Sequence, residues 1–526
     1  MHDIVVRNAR IVDGGGGPAV DGDVAIDGDR IAAVAPRIPA SGHLEIDARG
    51  MAAAPGFINI LSWANVSLLV DGRSQSDIRQ GVTLEVLGEG LSMGPLTPAM
   101  QEEMSRRQGD LRYPVTWRSL GEYLDHLAAR GVSCNVASFV GATTVRIHEL
   151  GYVDRRPSPA EMDRMRRLVR AAMAEGAMGL SSALIYPPAT YADTAELIAL
   201  AEVAAEAGGL YISHIRNEEA EVESALDEFL RIVRAAGARG EIYHLKVSGR
   251  ANWHRQFGVL ERIEAARRAG LPVTADVYPY TASSTGLDTA IRPWAHEGGE
   301  AALLARLHDP ASRERIRREM TVFAEPEEII VVGFKAEALK PLTGLTLAEI
   351  AARRGATWQD TVMDLLLEND GDVGAVFFTM SEDNVRAIIA RPWVSFCSDA
   401  GSYAAEGVFL RVGTHPRAYG AFARVLGRYV REEGVLTLEE AVRRLAALPA
   451  EVLRLRDRGR LAPGSFADVV VFDPATIADR ATYQQPHQYA TGVAHVLVNG
   501  VPVIRDGRHT GATPGRVVRG PGARPF

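Results

Sequence analysis

The sequence predicts an α/β protein: a (β/α)8 TIM-like barrel joined to a small β-sandwich made from both ends of the chain. Three observations carry this. Through the middle of the chain, apolar β-type runs alternate with helical stretches roughly thirty residues apart, the mark of βα units and a parallel sheet. Short β-rich segments separated by Gly/Asp turns occur at both ends. The length of 526 residues exceeds what one hydrophobic core supports, so a barrel needs added modules.

Residues 1–53 read as the N-terminal part of the sandwich: short strands Ile4–Val6, Ala9–Val12, Asp23–Ile26 and Arg30–Val34, parted by Asp13-Gly14-Gly15-Gly16-Gly17 and Asp27-Gly28-Asp29. Residues 54–460 read as the barrel. Its candidate strands are Gly56–Ser62, Thr83–Leu87, Asn135–Val140, Met178–Ser182, Leu210–Ser213, Glu241–Tyr243, Val273–Val277, Ala375–Thr379 and Val394–Ser398. That is one more than a barrel of eight requires. The span of about 293–371 lacks βα spacing and reads as an insertion between late barrel units. Residues 461–526 return to the sandwich: Ala467–Phe472, then Val493–Asn499 and Val501–Ile504 across an Asn499-Gly500 hairpin turn.

Composition excludes several classes. With 58 basic against 66 acidic side chains, the chain has no basic surplus for nucleic acid. No window approaches eighteen uninterrupted apolar residues, and the acid at Asp3 breaks any signal-peptide pattern, so neither a membrane span nor export is expected. Only Cys134 and Cys397 are present, which fits a cytoplasmic protein without a disulfide framework. Oligomeric state is open.

In a barrel of this type the chemistry sits at the C-terminal ends of the strands. Those ends carry Glu89, His214, His244 and Asp399. Two imidazoles and one carboxylate can supply three protein ligands to a zinc ion and leave a fourth position for water, with Asp399 available as base. A lone histidine after an apolar run is ordinarily structural, but two on consecutive strand ends favour a ligand reading. Glu89 or Asp399 could equally cap the helix that follows.

Several segments resemble one family: Ala54-Pro55-Gly56-Phe57-Ile58, Gly179-Leu180-Ser181-Ser182 with Tyr186-Pro187-Pro188, Ser213-His214-Ile215-Arg216-Asn217-Glu218, His244-Leu245-Lys246, Asp276-Val277-Tyr278-Pro279-Tyr280, Ser398-Asp399 and His415-Pro416-Arg417. Together they resemble the N-acyl-D-amino-acid deacylases (D-aminoacylases) of the amidohydrolase superfamily. The likeness spans essentially the whole chain, through Pro486-His487-Gln488-Tyr489, Val498-Asn499-Gly500 and His509-Thr510-Gly511. The resemblance implies a zinc-bearing barrel that cleaves the amide C–N bond of a small carboxylate-bearing substrate. By position, it implies that Glu89 stands where the family has a metal-binding cysteine, with His214 and His244 as the other ligands of one expected Zn2+. Carboxylate in place of thiolate makes the site harder. Asp399 falls at the family's general base, and Lys246, Tyr278, Ser284 and Arg417 at its substrate-carboxylate contacts. Arg suits that task because its planar fork meets a carboxylate bidentately. On residue chemistry alone, a snorkelling Lys246, a packed Tyr278 and a surface ion pair of Arg417 are the plainer readings.

The chain departs from the family at one place. After Pro-Gly-Phe-Ile an acid and then His-x-His are expected; here Asn59-Ile60-Leu61-Ser62-Trp63 stand, and no histidine occurs between His43 and His126. Leu61 and Trp63 occupy the two histidine positions and cannot bind metal, so a second ion is not expected from this strand. Three outcomes stay open: a mononuclear deacylase, a non-hydrolytic enzyme (condensation, cyclisation, elimination or epimerisation) in which Trp63 fills space and excludes water, and a silent binding homologue.

Overall fold

A computed structural model describes residues 1–523. The chain opens with β1 (His2–Ile11), β2 (Val20–Asp27), β3 (Arg30–Ala35), β4 (Gly42–Asp47) and β5 (Ala52–Pro55). The two strands expected at Ile4–Val6 and Ala9–Val12 are one strand. It is bent by a register shift against β2 between Val6 and Ala9, where Asn8 takes φ 57°. Such a bulge kinks a strand without ending it, and Asn tolerates the left-handed region better than most residues.

The barrel follows as β6 (Phe57–Asn59), β7 (Val82–Leu87), β8 (Asn135–Ser138) with the stub β9 (Val140–Gly141), β10 (Gly179–Ala183), β11 (Leu210–His214), β12 (Arg239–Ile242) and β13 (Val273–Val277). An excursion then carries β14 (Ser283–Gly286), β15 (Ile329–Gly333) and β16 (Gly374–Phe377), after which β17 (Val394–Phe396) is the eighth barrel strand. Parallel pairing runs β6-β7-β8 and β9-β10-β11-β12-β13-β17. First and last strands are stapled by Asn59, which donates to Ser398 Oγ (2.7 Å) and accepts from Ser398 N (3.0 Å). Helices cover the strands and begin where the sequence offers caps; Ser119 with Glu122 and Ser158 with Glu161 form capping boxes.

The ninth candidate strand, Ala375–Thr379, does not enter the barrel. Ala375, Val376 and Phe377 lie in β16, which pairs antiparallel with β14 and β15 over a separate core that includes Leu303, Ile316, Ile350 and Leu366. The excursion therefore starts before 293 and reaches past 371, because Ser283 pairs with Phe377 at its base.

The C-terminal strands β18 (Val469–Phe472), β19 (Val493–Val498), β20 (Val501–Arg505) and β21 (Arg508–His509) join the N-terminal ones through β18–β5 pairing, so nine strands share one hydrogen-bonded sheet. Strand alternation divides β18 between two cores. Val469 and Val471 pack with Ile4, Val6 and Val24 of the sheet, whereas Val470 and Phe472 pack into the barrel core.

Candidate metal centre and active site

Glu89 follows β7 between Gly88 (φ 95°) and Gly90 (φ 61°). At Gly90 a Cβ would lie 2.6 Å from the Ala183 Cβ, so glycine permits the close approach that turns the Glu89 carboxylate into the barrel mouth. His214 ends β11. His244 follows β12 at φ 33°, and Asp399 follows β17 at φ 47°. Left-handed non-glycine backbone costs about 1–3 kcal/mol and persists where the surroundings enforce it. The His244 N–H donates to Asp276 Oδ1 (2.8 Å) and the Asp399 N–H to the Leu61 carbonyl (2.9 Å).

These strand ends converge. Glu89 Oε1 lies 3.2 Å from His214 Nδ1 and 3.0 Å from His244 Nε2. The two imidazoles stand 4.4 Å apart and nearly perpendicular, and one donor atom from each of the three residues falls within 4.8 Å of the others. All three side chains are buried, and His214 Nε2 has no hydrogen-bond partner among the described residues. Two nitrogens and a carboxylate oxygen gathered in a buried cluster fit a divalent ion with N/O preference. Burial raises the Glu89 carboxyl, but the adjacent His244 and His214 outweigh it and hold the group well below the usual carboxylate range.

Asp399 is the neighbouring acid. Its Oδ1 accepts from the Trp63 indole N–H (3.1 Å), which is also 3.0 Å from Glu89 Oε2, and its Oδ2 meets Arg417 Nη2 at 2.9 Å. Burial pushes the Asp399 carboxyl up, and Arg417 offsets this only in part. The Arg417 guanidinium lies 4.4 Å over the Tyr278 ring, whose buried hydroxyl has no hydrogen-bond partner among the described residues. Lys246 Nζ is 2.7 Å from Glu218 Oε1 and 2.6 Å from His244 Nδ1. Ser284 Oγ donates to the Ala375 carbonyl at 3.0 Å.

One cavity of about 780 Å³ is lined by Trp63, Glu89, His214, His244, Lys246, Tyr278, Ser284, Asp399 and Arg417 together. Leu61 is the exception. Its side chain packs into the barrel core, so only its carbonyl, as the acceptor for Asp399 N–H, serves the site. Trp63 lines the cavity, and its indole N–H donates to Glu89 and Asp399, a polar role that its place in the sequence does not reveal.

Three further residues belong to the site. Glu218 is buried against His244 Nδ1 (3.3 Å) and His214 Nε2 (3.6 Å), so each imidazole lies between Glu89 and Glu218. Tyr186 stacks edge-on against His214 at 5.4 Å. His415 Nδ1 accepts from the Arg417 backbone N–H (2.9 Å). Glu218 lies four residues beyond its strand, where no periodicity tells where a side chain points.

Comparison with known proteins agrees with this geometry. The Amidohydrolase family model matches residues 335–504. An N-acyl-D-glutamate deacylase of Alcaligenes xylosoxydans xylosoxydans is 36% identical over 519 residues, covering 98% of this chain and 96% of the relative. The crystal structure of an N-acyl-D-glutamate deacylase from Bordetella bronchiseptica, complexed with zinc and a phosphonate inhibitor described as a mimic of the tetrahedral intermediate, is 33% identical with TM-score 0.82 over 98% of this chain and 99% of that one. A D-aminoacylase structure is 33% identical with TM-score 0.83 over 99% and 100%; it is described as showing one-metal activation and second-metal attenuation in a binuclear centre. End-to-end identity at this level, on a barrel that gathers the motif residues at its mouth, has one reading: the chain belongs to the N-acyl-D-amino-acid deacylase (D-aminoacylase) family of amidohydrolases.

Proposed function

We propose that this chain is a mononuclear zinc-dependent amidohydrolase that cleaves the amide C–N bond of N-acyl D-amino acids. The observation that carries the reading is the buried Glu89–His214–His244 cluster with Asp399 beside it, bridged by one indole N–H. Glu89, His214 and His244 would hold the ion. When bound, such an ion supplies Lewis acidity toward the amide carbonyl and acidifies a water molecule. Asp399 accepts the proton of the attacking water as the oxygen–carbon bond forms, and returns it to nitrogen as the C–N bond breaks, so the products are a carboxylic acid and an amino acid. Arg417, Lys246, Tyr278 and Ser284 would bind and orient the substrate carboxylate. Glu218 lies on the far side of both imidazoles, 3.3 Å from His244 Nδ1 and 3.6 Å from His214 Nε2, where a carboxylate would orient metal-binding histidines.

The non-hydrolytic reading keeps one specific support: Trp63 occupies the space between Glu89 and Asp399 and reduces the room for water there. A cytoplasmic location also belongs to the proposal. It is supported by two buried free cysteines, and no helix among the described residues is long and apolar enough to cross a membrane. Small carboxylate-bearing molecules, rather than nucleic acid, are the partners this reading expects.

The deciding experiment is elemental analysis of metal per chain for wild type and His214→Ala, paired with amine release from N-acyl D-amino acids. One zinc that disappears in the variant, with chelator-sensitive amine release, is the expected result. Metal without amine release would favour the non-hydrolytic reading, and no metal in wild type would remove the hydrolytic mechanism.

A further inference from the structure

A second cavity of about 510 Å³ opens beside the first, and Trp63, Leu91, Arg107, Ile147 and Tyr152 line both. The rest of its wall combines an apolar face, Met93, Leu96, Met100, Met104, Tyr113 and Phe334, with polar and charged side chains. Leu91, at the shared wall, is 48% exposed although it is a large apolar side chain. Met100 and Met104 lie one turn apart on the helix Pro98–Arg106, which buries none of its side chains fully. Methionine adapts its shape to irregular apolar partners.

The charged groups around this cavity are all satisfied. Arg107 pairs with Glu300 (2.7 Å), Glu103 accepts from the Tyr152 hydroxyl (2.9 Å), and Lys335 pairs with Asp372 (3.1 Å). Asp110 meets both Lys340 (2.7 Å) and Arg411 (3.0 Å). The cavity therefore offers no unpaired charge to an ionic ligand. None of Glu89, His214, His244, Lys246, Tyr278, Ser284 and Arg417 lines it.

Resting on the deacylase reading above, we propose that this second cavity is the acyl-chain subsite, and that the preferred substrates carry an unbranched apolar acyl group several carbons long rather than acetyl. With the substrate carboxylate at Arg417 and the scissile amide on the cavity side of Glu89 and Asp399, the acyl carbons extend past Trp63 and Leu91 into a wall of methionine, leucine and aromatic surface.

The test is amine release by the zinc-loaded full chain from N-acetyl, N-butyryl, N-hexanoyl and N-octanoyl derivatives of D-glutamate and D-methionine. Burial of each methylene is expected to raise kcat/KM about three- to fourfold until the cavity is filled. Acetyl compounds as the best substrates, or a flat series, would overturn the subsite and leave the deacylase reading intact. If no derivative is hydrolysed, the deacylase reading fails, and calorimetric titration still decides the subsite. N-octanoyl ligand binding at least tenfold tighter than N-acetyl supports it, and equal or weaker binding overturns it. Met104→Trp and Leu91→Asp should each lower the octanoyl-to-acetyl ratio at least tenfold. The ratio is taken within one protein, so a misfolded fraction cancels, and an unchanged ratio in both variants overturns the assignment.

Discussion

Asp399 has both carboxylate oxygens engaged, one by Trp63 and one by Arg417, and each interaction favours the anion that burial disfavours. Asp399→Asn should retain metal and lower kcat by roughly 10²–10⁴-fold, the usual worth of a positioned acid–base group; near-normal turnover would sink its role. Trp63→Phe keeps the ring and removes the donor. The acid limb of the kcat/KM profile should then move to higher pH by about one unit, because the carboxylate loses a hydrogen bond made to its charged form. An unmoved limb would reduce Trp63 to a space-filler. Arg417 faces Asp399, and a substrate carboxylate would compete for the same guanidinium. Arg417→Ala should therefore raise KM for carboxylate substrates far more than for their amidated analogues, and equal effects on both would remove it as the anchor.

Among the elements, the turn after β7 is tightly constrained. Gly90→Ala would place a methyl against Ala183 in a left-handed backbone that alone costs roughly 1–2 kcal/mol, so it should displace Glu89 and lower bound metal. Gly237, with φ 61° and open space around it, is the control: Gly237→Ala should incur the backbone cost and keep the metal. Equal metal content in both variants would mean that the turn does not position Glu89. The contrast also shows what could be read in advance. That Glu89, His214, His244 and Asp399 meet at one barrel mouth was legible because each lies within three residues of an apolar strand, and the barrel rule says which end matters. Glu218 and the indole donor of Trp63 were not, since loop paths and side-chain directions depend on the assembled barrel. The start of the excursion was hidden for another reason: Ser283-Ser284-Thr285-Gly286 has no apolar alternation, and only its partner β16 makes it a strand.

At the scale of the whole molecule, buried acids link barrel closure to pH. Burial pushes the Asp77 carboxyl up to about 7, against hydrogen bonds donated by Asn59 and Ser76. The folded state thus holds a proton that the unfolded chain releases near 4. The stability this contributes is complete below that value and is lost as pH rises through about 7. Wild-type Tm should fall by roughly 2–3 °C between pH 5 and 8, and Asp77→Asn should flatten the decline; an equally steep decline in the variant would place the titration elsewhere. The division of β18 between two cores implies that sheet and barrel melt as one unit, which makes a single Tm meaningful here.

The excursion between β13 and β17 leaves and returns through one pair of neighbouring strands, Ser283 opposite Phe377, and is held together by its own core. It also lends Ser284, Val332, Gly333 and Gly374 to the cavity wall, while every candidate metal ligand comes from the barrel. Part of the cavity wall is thereby carried on a separately exchangeable piece of chain. A cassette swapped at Ser283 and Phe377 between relatives would reshape that part of the wall and leave the candidate metal ligands in place.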